Sequence, residues 1–413
     1  MRYIMLLLGL CSLLAVRSMN SKNEWGFYGH RLINRLAIFT LPEEMMRFYK
    51  KNMDYLEVHA IDPDKRRYAV KAEAIRHYFD LDHWTHKMDT AYLPKEYAKA
   101  VLLLDSIRFQ YKNETYQLFD VNSLDTMHVC DTIPFSKHFI RLYNPSANEL
   151  LFQQYQRWFN TILLPEYDPL HWTMQCDSIG VIQWSNDQPV TIEILDSFSK
   201  HGILPYHLRT VYRQLVHSFT SRDAPRILRL SAEIGHYLAD AHVPLHTSQN
   251  YNGQLTQQTG IHAFWESRLP ELFAEKEFDF LVGAASYIDD VSAFTWDIIY
   301  QSHQMVTPLL TKEKTLSQAY AFDQQYCYEK RGNTMMLQPC KKYAEAFHKL
   351  LDGQVEQRMR CSILCIGSFW MSAWMDAGQP DLDALMETSN GEQDSSAHHN
   401  MNDQLAPWVR PHE

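Results

Sequence analysis

Apolar positions recur at helical spacing in long runs of this chain, which predicts a mainly α protein. From Trp25 a helix continues through Leu32, Ile33, Leu36, Ala37 and Phe39. Thr40-Leu-Pro42-Glu43-Glu44 reads as a cap with proline at the first position of the next helix, which runs to about His59. Pro205 and Pro225 start two more, over Tyr206–Thr220 and into the stretch around His236. Further helices are expected near Leu269–Glu275, Phe280–Tyr287, Ala293–Leu310, Tyr343–Gln357 and Val355–Ala377. The last is apolar on most sides (Ile363, Leu364, Ile366, Phe369, Trp370, Trp374) and reads as a central core helix.

The pattern changes between about Thr85 and Lys200. Helical pieces (Leu93–Leu104, Ala147–Leu163) alternate there with segments rich in β-branched and aromatic residues (Phe109–Val121, Ile179–Leu195). This region, 85–200, reads as an inserted mixed subdomain. Its neighbours, 25–84 and 201–387, read as one helical domain. The polar stretch 388–413 reads as a disordered tail.

Composition adds three constraints. The chain has 413 residues, 46% of them apolar, which is ample for a large core. The formal net charge is −10 with no Lys/Arg-rich run, so a duplex-binding surface is not indicated. Residues 1–24 read as an export leader: one charge at Arg2, then the apolar run Tyr3–Val16, too short to span a bilayer comfortably. No other stretch suggests a transmembrane anchor. The expected location is the periplasm, the cell surface or the medium. Six cysteines follow the leader. Cys327 and Cys340 flank a plausible hairpin and form the best candidate disulfide, whereas Cys361 and Cys365 lie in an apolar helical run and read as buried free thiols.

The chemistry concentrates in His236–Glu266. His236 and Asp240 lie four apart and share a helix face, as do His262 and Glu266. Pro244 ends or kinks the first helix, and His246 hangs from the turn beyond it. One His-x3-Asp pair is ordinary surface. Two such pairs with a fifth ligand between them, flanked by Leu238, Ala239, Val243, Phe264 and Trp265, describe a buried metal site. Imidazole with carboxylate suits zinc better than magnesium or calcium. Five ligands exceed the needs of one ion, so a multinuclear cluster is expected. The N-terminal third offers His30, His59, Asp62, Asp64, His77, Asp80, Asp82, His83 and His86, among which spacing does not choose. His398-His399 has metal-binding chemistry but reads as a surface pair.

WGxxGH at Trp25, an A-x-D loop, a His-Tyr/Phe-x-Asp segment, HYLxDxHxPLH and GxHxxWE occur in this order. The chain resembles the superfamily that joins bacterial zinc-dependent phospholipases C with single-strand-specific zinc nucleases. The match covers roughly Trp25–His83 and Gly202–Gly378 and leaves the insertion uncovered. The resemblance implies a helical domain holding three zinc ions through Trp25, His30, Asp62, His77, His236, Asp240, His246, His262 and Glu266. Trp25 would serve through its free amine and carbonyl if cleavage falls after Glu24. Asp62 would bridge two ions and act on the nucleophilic water, with Asp64 as the runner-up. Lys65 and Arg66 are candidates for substrate phosphate.

The implied activity is that of an exported zinc-dependent phosphodiesterase, attacking a phosphodiester with a zinc-bound hydroxide. Glu266 stands where the nucleases usually have Asp, and Ser267 where they tend to have Asn. Lys65 stands three residues after Asp62, where they place Arg. These departures favour a phospholipase C-like enzyme acting on phospholipid headgroups, at a membrane surface or in solution. A single-strand nuclease or 3′-nucleotidase on the same scaffold is the alternative. An inactive zinc-binding surface protein is the third reading.

Overall fold

The helix Ala224–His242 is the axis of the protein. In the computed structural model it packs against Leu204–Thr220, Tyr28–Ala37, Met53–His59, Val291–Gln304 and Gln354–Asp376. The structure describes residues 27–70, 72–85, 93–121, 131–164, 171–185, 189–331 and 334–388. The expected leader, Trp25, His86, His398, His399 and nearly all of the expected tail lie outside them.

The protein is mainly α, with small antiparallel sheets. No helix among the described residues is long and apolar enough to cross a membrane. The expected core helix is Gln354–Asp376, and Trp370 on it is fully buried. Its indole N–H donates to the Ser231 carbonyl at 3.1 Å, and its ring stacks on Tyr49 at 4.7 Å. Two glycines allow the close crossings that place the site. A Cβ at Gly235 would lie 1.8 Å from Asn34 Oδ1, and one at Gly367 would lie 1.8 Å from Thr40 Oγ1. The first crossing brings Tyr28–Ala37 against Ala224–His242 and seats the Asn34 amide on the Ala232 carbonyl at 3.2 Å.

Three expected helices differ in detail. Phe280–Tyr287 is an extended strap across the core helix, with Gly283 at φ 93°. Its backbone is satisfied from outside: Ser286 N–H donates to Ser368 Oγ at 3.1 Å and Ile288 N–H to Ser372 Oγ at 2.9 Å. Ala293–Leu310 is two helices, Val291–Gln304 and Val306–Ser317, because Pro308 belongs in a first turn. Tyr343–Gln357 ends at Leu351, where Asp352 and Gly353 take left-handed conformations before the core helix starts.

The insertion has its own core, in which Phe109, Phe119, Phe139, Tyr155 and Phe159 are buried together. Its main sheet has the spatial order Glu114–Gln117, Ser106–Tyr111, Val190–Leu195, His171–Cys176, all antiparallel. Cys327 and Cys340 form the expected disulfide at the base of the hairpin Tyr326–Arg331/Thr334–Pro339. Cys361 and Cys365 are free, with Cys365 buried and Cys361 partly so.

Two carboxyls meet where the chain enters and leaves the insertion. Asp105 Oδ1 accepts from the N–H groups of Ser197 and Phe198 at 2.6 and 2.8 Å, and Asp196 Oδ1 accepts from Ser199 N–H at 2.6 Å. The other oxygens of the pair, Asp105 Oδ2 and Asp196 Oδ2, are buried without a hydrogen-bond partner among the described residues. Burial first, and then the Asp196 charge, pushes Asp105 up to about 8. The folded pKa lies above the unfolded one, so this stabilisation is complete below about pH 4 and is lost as pH rises toward about 8. Urea midpoints of wild type and Asp105→Asn across pH 4 to 9 are expected to differ by a slope approaching about 1.4 kcal/mol per pH unit in that window. Parallel curves would contradict the raised pKa of Asp105.

Candidate metal centre

Six elements deliver the site. The helix Tyr28–Ala37 carries His30, Asp62–Arg66 carries Asp64, and the turn after Ala74–Arg76 carries His77. Ala224–His242 brings His236 and Asp240, and the short 3-10 turn Pro244–Thr247 brings His246. His262 starts a helix that widens into a π turn over Phe264–Arg268, which holds Glu266. Such widenings are often found at functional sites.

The side chains form three groups able to hold a metal ion, the first two sharing His236: His30, His236 and Asp240; Asp64, His77 and His236; His246, His262 and Glu266. Asp240 is the hub. Its Oδ2 lies 2.9 Å from His77 Nδ1 and 3.4 Å from His236 Nε2. Its Oδ1 lies 3.6 Å from His30 Nε2 and 3.9 Å from His246 Nε2. Glu266 closes the other end, with Oε2 2.8 Å from His262 Nε2 and 3.3 Å from His246 Nε2, and Oε1 3.3 Å from His30 Nε2.

Outer hydrogen bonds aim the imidazoles. His236 Nδ1–H donates to the Ala60 carbonyl at 2.9 Å, His246 Nδ1–H to His77 at 2.5 Å and His262 Nδ1–H to Tyr251 at 3.1 Å. Each leaves the Nε2 lone pair facing inward, as metal ligation requires. His77 is turned the other way, with Nδ1 inward and Nε2 3.7 Å from the fully buried carboxylate of Glu73. The segment around His77 is itself pinned: Ile203 N–H donates to Ile75, Leu204 N–H to Tyr78, Asp80 N–H to His201 and Phe79 N–H to His246.

The electrostatics fit a cation. Burial, reinforced by neighbouring cationic groups, holds His77 and His236 neutral, and burial lowers His246 as well. Asp240 is driven well above the carboxylate range by burial and then by the charges of Asp64 and Glu266. Burial works against Glu266 too, but its hydrogen bonds to His246, His262 and His30 hold it well below that range. His236 Nε2 and His77 Nδ1 lie 3.1 Å apart. Converging imidazole nitrogens, two buried carboxylates and the partly buried Glu266 form a donor set that a divalent ion satisfies.

Of the nine ligands expected, seven side chains meet here: His30, His77, His236, Asp240, His246, His262 and Glu266. Asp62 does not. It pairs with His59 Nδ1 at 2.5 Å and lies 3.6 Å from Lys65. Asp64 takes the inward place, 3.9 Å from both His77 Nδ1 and His236 Nε2. The reason is local: Asp62–Arg66 is helical, and residues two apart on a helix point to opposite sides. The carboxylate that faces imidazoles of all three groups is Asp240. Trp25 lies outside the described residues.

The basic residues shift with the acid. Lys65 stays beside Asp62 on the outside. Arg66 turns away, to Glu233 at 2.6 Å, Glu73 at 3.3 Å and the Tyr237 hydroxyl at 3.3 Å. Arg67, which had not been singled out, is buried with its Nη1 3.4 Å from Asp64 Oδ1. Burial opposes its charge, but Asp64, Tyr68 and Asp240 outweigh that and raise its pKa. Its position three residues after Asp64 was the available signal. Glu73, four residues before His77, was likewise legible only once the ligand was known.

The remaining candidates have structural roles. Asp80 pairs with His201 at 3.2 Å, and His83 stacks on His201. Asp82 accepts from Ser248 Oγ at 2.7 Å and from Gln249 N–H at 3.1 Å, tying down the loop after His246. Phe79 is core, edge-on to Trp296. No protein-family model, no curated protein and no solved structure matches the chain.

Proposed function

We propose that this protein is a zinc-dependent phosphoric ester hydrolase acting on a phosphodiester. The observation that carries the reading is the convergence of eight candidate ligands on one centre, with His236 common to two of the three groups and Asp240 within 3.9 Å of an imidazole of each. Zinc, when bound, supplies Lewis acidity and lowers the pKa of water toward neutrality. His30, Asp64, His77, His236, Asp240, His246, His262 and Glu266 would hold it.

The chain's own residues account for the rest. The carbonyl-anchored imidazoles keep their orientation without reorganising. The inward carboxylate of Asp64, rather than Asp62, is placed to take the proton of the attacking water. Arg67 presents a guanidinium whose Nε has no hydrogen-bond partner among the described residues, and it is placed to hold a non-bridging phosphate oxygen. Arg67→Ala is expected to keep its zinc and lose on the order of 100-fold in kcat. An unchanged kcat would remove Arg67 from the reaction.

Glu266 and Ser267 support a phospholipase C-like substrate. One specific observation favours the nuclease reading: with Asp64 as the ligand, the position three residues on is Arg67, the residue the nucleases carry there. The Lys65 departure therefore disappears. Assays offering p-nitrophenyl phosphorylcholine and single-stranded DNA to the same preparation decide between the two. Release of p-nitrophenol supports the headgroup reading, and release of nucleotides supports the nuclease. Turnover of neither, at full zinc occupancy, leaves the inactive binding protein.

A further inference from the structure

Behind the metal centre, on the far side of Glu73 and Tyr237, lies a second cavity of about 380 Å³. It opens at the seam between the helical domain and the insertion and lies within the size range that small ligands occupy. Three guanidiniums reach it from three separate elements: Arg66 from Asp62–Arg66, Arg76 from Ala74–Arg76, and Arg229 from Ala224–His242. Glu73 and Glu233 offset two of these charges. Arg66 gives its donors to both acids and to Tyr237, whereas Arg76 has Nη1 on Glu73 at 2.8 Å. Arg229 makes only a 3.9 Å ion pair with Glu233, and its side chain is 56% exposed. The opposite wall is apolar and aromatic, with Tyr97 and Val211. His207, on the same lining, is held neutral by burial and then by Arg76 and Arg66.

We infer that this cavity is a binding site for a small phosphoryl or phosphonyl anion carrying an apolar or aromatic group. The lining is rich in donors, poor in free acceptors and, with Glu73 behind it counted, one positive charge in excess. Guanidiniums arriving from three directions match a tetrahedral oxyanion, which presents three oxygens, better than a planar carboxylate, which presents two. The volume exceeds that of the anion alone, and the Tyr97 side gives the organic part its place. Glu73 and Tyr237 separate the cavity from the metal ligands, so the inference does not depend on what the metal centre does.

The test is calorimetric titration of phenylphosphonate into the full-length, metal-loaded protein, with inorganic phosphate and benzoate in parallel. Arg229→Gln, at an exposed side chain, is the main variant, and Arg229→Lys is the rescue. His262→Ala weakens anion binding at the metal centre by breaking one of its three ligand groups. The expected result is a phenylphosphonate phase that persists in His262→Ala, weakens about tenfold or more in Arg229→Gln and recovers in part in Arg229→Lys. Phenylphosphonate should bind more tightly than phosphate or benzoate. Loss of all binding in His262→Ala, or identical binding by wild type and Arg229→Gln, would overturn the site. Benzoate binding equal to phenylphosphonate would overturn the phosphoryl assignment. Should His262→Ala not fold, the Arg229→Gln comparison decides alone.

Discussion

Asp64→Ala is expected to weaken metal binding by about 100-fold or more and to abolish phosphodiester cleavage, while Asp62→Ala changes either by less than about threefold. Loss of an outer partner to a metal ligand already costs about 10- to 100-fold, so removal of a direct ligand should reach at least the upper end. Asp64 is buried and 3.9 Å from two imidazole nitrogens of the cluster. Asp62 is a third exposed, occupied by His59 and Lys65. Zinc titration against a competing chelator, run on both variants, separates them. Equal losses, or a larger loss at Asp62, would return the ligand role to Asp62 and require the Asp62–Arg66 helix to be rearranged when metal binds.

Gly202→Ala should cost about 3 kcal/mol or more of stability and reduce metal occupancy with it. Gly202 has φ 87°, a conformation that side-chain-bearing residues rarely adopt, and a Cβ there would stand 2.0 Å from the Tyr78 carbonyl oxygen. That contact is backbone, so no rotamer change relieves it. The neighbouring N–H groups of Ile203 and Leu204 bond to Ile75 and Tyr78, and the Asp80 N–H bonds back to His201. This brace sets where His77 stands, two links from the metal. Urea denaturation and zinc content of the variant, read together, test the point. A variant of wild-type stability would show that the segment 75–80 can shift without cost, and the brace argument would fail.

The cluster of candidate metal ligands was legible in the sequence wherever helical spacing carried it. His236, Asp240, His262 and Glu266 sit four apart, and Pro244 fixed the turn that holds His246. What spacing does not encode is the face chosen within a short polar segment. Asp62-Pro63-Asp64 offers two acids, and only the helical winding of the segment turns Asp64 inward. The same winding exchanges Lys65 and Arg66 for Arg67. The π turn at Phe264–Arg268 left no trace in the pattern, because His262 and Glu266 meet with or without it. Phe280–Tyr287 reads as a helix by its apolar spacing, yet Ser368 and Ser372 on the core helix supply hydrogen-bond partners to the strap, and such long-range partners are invisible to a local pattern. The insertion's strands were legible as mixed segments; their order in the sheet was not, since register is set by pairing across distant parts of the chain.

The central claim is that these clusters form one zinc centre that hydrolyses phosphodiesters. Zinc content per chain of the purified protein, measured alongside cleavage of p-nitrophenyl phosphorylcholine and single-stranded DNA, tests it most directly. The account predicts about three zinc ions per chain, one for each ligand group, with turnover of one of the two substrates that chelation abolishes and zinc restores. One zinc or fewer per chain, with neither substrate cleaved, would contradict it.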